Sequence, residues 1–153
     1  LAELGRHEGS KSQLCDAGVI PVVLTTMKVY VTDYVVQECG LRCLAMLAAG
    51  STQNQESIFQ HQGITAVIHS VNTAVETRNT DENTIGLIAQ GLNLLGCLSV
   101  HIECRPQIVH FRGVDATLRA VGAHSSDPNV LQYGLQVIAG LAGSTEAVAQ
   151  LIQ

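Results

Sequence analysis

The chain repeats one short pattern three times, in LCDAGVIPVVL (residues 14–24), IFQHQGITAVI (58–68) and IVHFRGVDATL (108–118). Each copy passes from an apolar residue through a glycine to an apolar residue that opens a new stripe, namely Ile20, Ile64 or Val114. These openers lie 44 and 50 residues apart. A period in this range is typical of arrays built from two or three helices per unit.

A second pattern lies between the copies of the first, in VVQECGLRCLAML (35–47), LIAQGLNLLGCL (87–98) and LQYGLQVIAGL (131–141). Its apolar residues follow helical spacing, which predicts one long helix per unit. A glycine recurs at the same place in each copy, and glycine costs a helix about 1 kcal/mol relative to alanine. We therefore expect a close approach between helices at Gly40, Gly91 and Gly134.

Capping signals and the remaining periodicity predict three helices per unit: short, medium and long. Plausible N-caps of the long helices are Asp33, Asn83 and Asp127. The glycine before each stripe opener is expected to end the short helix as a C-cap. The middle unit has seven extra residues, which we expect to add one turn to each of two helices around the polar segment ETRNTDEN (76–83).

The resulting division treats the whole chain as one repeat array. Residues 1–4 are expected to end a preceding repeat, and complete repeats are expected over 5–48, 49–99 and 100–142, the second carrying the insertion near 76–83. Residues 143–153 are expected to start a further repeat with the short helix STEAVAQLIQ. On this interpretation both ends cut through a repeat of a longer array, and capping repeats are missing.

The three copies in register resemble the armadillo repeat family over essentially the whole chain, with HEAT repeats as the second choice. The short helix before each glycine favours armadillo, because HEAT units usually have two helices. The resemblance implies an all-α, right-handed α-solenoid whose long third helices line a concave groove. It also implies that this groove holds an extended peptide or the surface of another protein.

The register assigns candidate groove residues on each long helix. They are Glu38, Cys39, Arg42 and Met46, then Gln90, Asn93 and Cys97, and finally Gln132, Tyr133 and Gln136. Side-chain amides both donate and accept hydrogen bonds, which suits an extended peptide backbone. A second candidate contact is the polar hairpin at the edge, with Arg78, Asp81 and Glu82.

Armadillo importins carry a Trp and, four residues later, an Asn on successive third helices. The matching pairs here are Arg42 and Met46, Asn93 and Cys97, and Gln136 and Gly140, so neither residue is kept. This departure disfavours a classical basic nuclear-localisation peptide as the ligand. A strongly basic groove is disfavoured as well, because Arg42 is the only cation among the six.

Composition excludes several other classes of function. The net charge is −5 with no cluster of Lys and Arg, which disfavours nucleic acid as a partner. The longest apolar runs, such as residues 18–24, are too short for membrane insertion. The chain has no nucleotide-binding or hydrolase motif, so we predict no enzyme activity and no cofactor. Cys97, His101 and Cys104 have zinc-type side chains, but the long helix should end near Ser99 and a fourth ligand is missing, so no metal site is predicted.

The sequence therefore predicts a non-catalytic scaffold that binds a partner protein or peptide. Two alternatives stay open: a structural spacer in a cytoskeletal or ciliary assembly, and a regulatory segment of a multidomain enzyme. The five cysteines (Cys15, Cys39, Cys43, Cys97 and Cys104) form no disulfide framework and indicate a reducing compartment. We expect an intracellular, cytoplasmic location, with the cilium, cytoskeleton or nucleus as alternatives.

Overall fold

The structure, a computed structural model, describes the backbone of residues 2–143 and side chains from residue 9 onward. This part of the chain is all-α and contains no strand. Its helices are α1 (Ala2–Asp16), α2 (Val19–Val29), α3 (Tyr34–Ala48), α4 (Thr52–Gln60), α5 (Gly63–Glu76), α6 (Glu82–Ser99), α7 (Cys104–His110), α8 (Gly113–Ala123) and α9 (Pro128–Leu141). The expected boundary at residue 4 falls inside α1, and the expected helix over 144–153 lies outside the described residues.

Each helix packs against the helix of the same class in the neighbouring unit. The long helices form the most extensive contacts, α3 along α6 and α6 along α9. The medium helices α5 and α8 pack together, as do the short helices α4 and α7. The buried apolar residues of all units form one continuous cluster, with Leu41, Leu92 and Leu95 fully inaccessible. The core therefore continues between neighbouring units.

The recurring glycine of the long helices is the point of closest approach to the medium helices. A Cβ on Gly91 would overlap the Cγ2 atom of Val71, and a Cβ on Gly134 would overlap that of Val121. A Cβ on Gly40 would lie 2.6 Å from Cγ of Met27. The three contacting residues follow their stripe openers by the same seven positions. The predicted close approach is confirmed.

The seven extra residues of the middle unit lengthen two helices. Compared in register with α2 and α8, α5 continues three residues further, and α6 begins three residues earlier than α3. The seventh residue lies in the connection at 77–81, which is one residue longer than its counterparts. Three residues are nearly one helical turn, so the expected extension of both helices is present.

Two details of the capping prediction were wrong. Asp33 and Asp127 cap α3 and α9 as expected, but α6 is capped by Asp81, whose carboxylate accepts from the Thr84 N–H at 2.8 Å. The predicted cap, Asn83, lies in the first turn of this helix because the insertion moves its start towards the N-terminus.

The second error concerns the turn between short and medium helices. The left-handed residue there is Gly18 in the first unit, as predicted, but Gln62 and Arg112 in the others. Gly63 and Gly113 instead begin α5 and α8. A Cβ on Gly63 would lie only 2.9 Å from the carbonyl oxygen of Ile58, so these glycines permit a close approach and supply no unusual backbone angle.

Side chains of the short helices also donate hydrogen bonds to the C-terminal carbonyl groups of the long helices. Gln55 on α4 donates to the carbonyl oxygen of Ala48 at 2.9 Å, and Arg105 on α7 donates to that of Ser99 at 2.8 Å. The two donors occupy matching positions, since each lies three residues before a buried isoleucine, Ile58 or Ile108. Each satisfies a carbonyl that the helix end leaves without an internal partner.

Candidate functional site

The predicted groove residues lie on the three long helices that pack side by side. Arg42, Asn93 and Gln136 occupy matching positions, each two residues after the recurring glycine. Arg42 and Gln136 are exposed, and Asn93 is half-buried. Since α3 contacts α6 and α6 contacts α9, the three residues stand at matching positions on neighbouring helices.

A second row follows one turn further along each helix. Met46 is exposed and Cys97 is half-buried, and Gly140 completes the row on α9. The apolar core begins directly beneath, because the neighbouring Leu47 and Leu98 are buried. On the other side of the first row, Gln90 is half-buried and Gln132 is exposed.

Several predicted groove residues are engaged in packing between helices, and Gln136 is one of them, since a Cβ on Gly96 of α6 would lie 3.1 Å from its side chain. The carboxylate of Glu38 lies over Gly86 of α6, where a Cβ would come within 2.8 Å of it. The same carboxylate forms an ion pair with Arg42 at 3.8 Å, so the cation of the groove is partly neutralised by its own helix. Tyr133 is half-buried and packs against the core. Glu38 and Tyr133 therefore contribute mainly to packing between the long helices and leave few groups free for a ligand.

The groove side chains are also linked to one another. The Asn93 amide donates to Gln90 Oε1 at 3.5 Å, and Arg42 donates to the sulfur of Cys39 at 3.6 Å. Across the helices, the Cys97 thiol approaches the carbonyl oxygen of Ala45 at 3.9 Å. Burial raises the pKa of the Cys97 thiol, and the ammonium of Lys11 offsets part of that rise. The thiol is therefore protonated at neutral pH and is a poor nucleophile.

The edge hairpin is exposed, but the carboxylate of Asp81 already accepts hydrogen bonds within the chain. Arg78, Asp81 and Glu82 are all exposed. Asp81 caps α6 and also accepts a short hydrogen bond from the side chain of Asn79. The backbone N–H of Thr84 is the main reason why the pKa of Asp81 is lowered. Arg78 has a positive φ of 53°, which turns the chain out of α5.

The described cysteine and histidine side chains form no metal-binding group. Cys104 Sγ lies 3.7 Å from His101 Nδ1, but Cys97 belongs to α6 and not to this pair. Among the residues that the structure describes, no three His, Cys, Asp or Glu side chains are placed to hold a metal ion. Cys104 is buried, and burial together with the charge of Glu103 raises its pKa to about 11.

One feature of the molecule was missed at the sequence level. A cleft of about 520 Å³ lies between α2 and α5, away from the groove rows. Its base contains the buried Gln37 of α3, which donates to the carbonyl oxygens of Met27 at 2.6 Å and Tyr30 at 3.0 Å. Gln37 also accepts from the Ser70 hydroxyl at 2.8 Å. The only sequence signal was a glutamine where the other units have Ile88 and Leu131.

No family model, curated protein or solved structure matches this chain. Within the described residues, no helix is both long and apolar enough to cross a membrane.

Proposed function

We propose that this chain is an armadillo-like, right-handed α-solenoid that binds an extended segment of a partner protein along its three long helices. It acts by binding alone, without catalysis and without a cofactor. The observation that carries the proposal is the row of Arg42, Asn93 and Gln136 on three helices that pack in sequence.

The row suits a peptide backbone for two reasons. Amide side chains both donate and accept hydrogen bonds, which matches the alternating N–H and C=O groups of an extended chain. Packed helices also lie about 8–10 Å apart, which equals about three residues of extended peptide. A bound segment would therefore meet one polar side chain of the row about every third residue.

The helix contacts support the solenoid. Like helices contact like helices in all three classes, and the glycine contact recurs in the same register in each unit. Such an arrangement builds a long surface and one continuous core, which favours binding of extended partners. Apolar residues of the groove, such as the exposed Met46, would add contact area beside the polar row.

The test is a capture experiment from source-cell lysate with mass spectrometry. The native chain is compared with a groove variant carrying Arg42→Ala, Asn93→Ala and Gln136→Ala. A control variant carries Glu56→Ala, Gln60→Ala and Arg112→Ala, which are exposed residues away from the groove. Circular dichroism must show equal helicity for all three proteins.

We expect a partner that the native chain and the control capture and that the groove variant loses. A partner that all three proteins retain would overturn groove binding and would favour the structural-spacer alternative. A groove segment identified in the partner should then bind as an isolated peptide, measured by fluorescence anisotropy.

A further inference from the structure

The cleft between α2 and α5 differs from its counterpart between α5 and α8, although the two stand in the same register. Ala66 and Ala116 occupy matching positions on α5 and α8, each two residues after its stripe opener. Ala116 is completely buried, whereas Ala66 is half-buried. The same side chain is thus covered in the second interval and accessible in the first, so the first cleft is open beside Ala66.

The second interval is crossed by a polar bridge, beside a pocket of about 530 Å³ that Glu76 and Arg119 help to line. Arg119 on α8 donates to Asn72 Oδ1 on α5 at 3.3 Å and pairs with Glu76 at 3.6 Å. In the first interval the positions of Asn72 and Arg119 are held by Lys28 and His69. Neither Lys28 nor His69 makes a side-chain hydrogen bond or ion pair with another described residue, so no such bridge crosses the first interval.

The open cleft has the composition of a binding site. Leu24 and Met27 supply an apolar floor, and Lys28, His61 and His69 supply polar nitrogen groups around it. None of the described residues that line the cleft is acidic, although the chain as a whole carries a net charge of −5. The volume of about 520 Å³ is within the range of pockets that hold ligands.

We propose that this cleft binds a short acidic segment of a partner protein in an extended conformation. The charge of the lining selects the sign of the ligand, because Lys28 has no carboxylate to neutralise it. The residues of α2 that line the cleft run from Pro21 to Lys28, about 10 Å of helix, which matches about three extended residues. The hydroxyls of Thr25 and Thr65 provide hydrogen-bonding groups for the backbone of such a segment.

This site is separate from the proposed groove. Its lining includes no residue of the rows on α3, α6 and α9, and only Gln37 reaches it from a long helix. A partner could therefore occupy the cleft and the groove at the same time. The two proposals also fail independently, since the groove variant leaves the cleft intact.

The probe is a fluorescein-labelled hexapeptide of alternating Glu and Leu, measured by fluorescence anisotropy at low salt. A matched peptide with Lys in place of each Glu controls for charge, and one with Gln controls for apolar binding. We expect saturable binding of the acidic peptide to the native chain and to the groove variant. Amide NMR shifts should locate it at Thr25, Lys28, Thr65 and His69.

A charge-reversal variant tests the recognition directly. Lys28→Glu with His69→Glu should weaken binding of the acidic peptide roughly tenfold and favour the Lys peptide, because attraction at the rim becomes repulsion. The matched control is His110→Glu with Arg112→Glu, which makes the same exchange at exposed residues outside the cleft. The control should bind like the native chain.

A second variant places a polar bridge across the cleft without adding negative charge. Lys28→Asn with His69→Arg copies the bridge between Asn72 and Arg119 into the first interval. We expect it to fold and to lose binding of the acidic peptide. Equal binding of the acidic and Lys peptides, equal weakening by the control variant, absence of saturable binding, or NMR shifts confined to Arg42 and Asn93 would each overturn the proposal.

Discussion

The first and second units share one register but are built from different chemistry. In the first unit, α2 and α3 meet through the flexible Met27 over Gly40 and through the polar Gln37. In the second, α5 and α6 meet through Val71 over Gly91, and Ile88 replaces the glutamine. The second unit is thus the more rigidly packed, because branched apolar side chains have fewer ways to adjust.

The difference teaches that the repeat fixes the positions of the helices but not the residue type at each position. The positions of Lys28 and His69 line a cleft in the first interval. The matching residues of the second interval, Asn72 and Arg119, form a hydrogen bond. A surface that differs between units of equal geometry is a natural location for specific binding. The following predictions test this contrast, beginning with the largest expected effect.

Gly91→Ala should destabilise the protein much more than Gly40→Ala. A Cβ on Gly91 overlaps the stiff Val71, and such overpacking costs about 1–3 kcal/mol. At Gly40 the neighbour is Met27, which can move, so we expect a change within about 0.5 kcal/mol. The free energy of unfolding in urea, monitored by circular dichroism, measures both.

Two further variants serve as controls for this comparison. Gly122→Ala should stabilise by up to about 1 kcal/mol, because a Cβ there meets nothing within 4 Å. Val71→Ala should recover part of the loss caused by Gly91→Ala. Equal costs at Gly40 and Gly91 would contradict the proposed difference in rigidity.

Gln37→Leu should cost about 1–2 kcal/mol in the free energy of unfolding. The change removes three hydrogen bonds that join the end of α2 to α3 and α5. Adding Ser70→Ala, which copies Ala120 of the third unit, should recover part of the loss because it removes the polar partner. Denaturant titration measures all variants.

The exposed Gln60 provides the reference for this prediction. Gln60→Leu should change stability by less than about 0.5 kcal/mol, as surface substitutions usually do. If Gln37→Leu also changes the free energy of unfolding by less than about 0.5 kcal/mol, the hydrogen bonds of Gln37 stabilise the first unit no more than an apolar side chain at that position would.

The smallest effect is an acid sensitivity of α6 that comes from its displaced cap. The folded pKa of Asp81 lies below its ordinary value of 3.8, mainly because the carboxylate accepts from the Thr84 N–H. Its contribution is therefore present above pH 4 and is lost as the pH falls through the lowered pKa. Asp81→Asn keeps an N-cap acceptor without a titrating group.

The urea midpoints of the native chain and Asp81→Asn should accordingly converge as the pH falls below about 4, where the carboxylate gains its proton. Asp33 and Asp127 cap the other long helices in both proteins, so their contributions cancel in the difference. A difference between the two midpoints that does not change with pH would show that Asp81 acts only as a hydrogen-bond acceptor.

The helices could be predicted because apolar periodicity and glycine spacing are local signals. The long-helix stripe, the close approach at Gly91 and the extension of α5 all follow from spacing. Capping was less predictable at the insertion: Asn83 and Asp81 are both good caps, and only the length of the packed helix selects Asp81. The left-handed conformation of Gln62 could not be predicted either. The neighbouring Gly63 is needed instead for the close approach to Ile58.

The candidate groove shows the same limit. The register predicts that Arg42, Asn93 and Gln136 share one row, and the structure shows that the three helices carrying them pack in sequence. It did not show that Glu38 lies over Gly86 or that Tyr133 joins the core. Such contacts depend on the distance between helices, which side-chain volumes set.

The sequence by itself determined the helical class and the order and register of the helices from α2 to α9, because periodicity is encoded residue by residue. Only the tertiary structure decided which side chains meet across each interval between helices. Lys28 and His69 lie 41 residues apart in the chain and line one cleft, whereas Asn72 and Arg119, at the same places one unit later, form a hydrogen bond across theirs. That outcome depends on pairs of side chains from different helices, which no single stretch of sequence specifies.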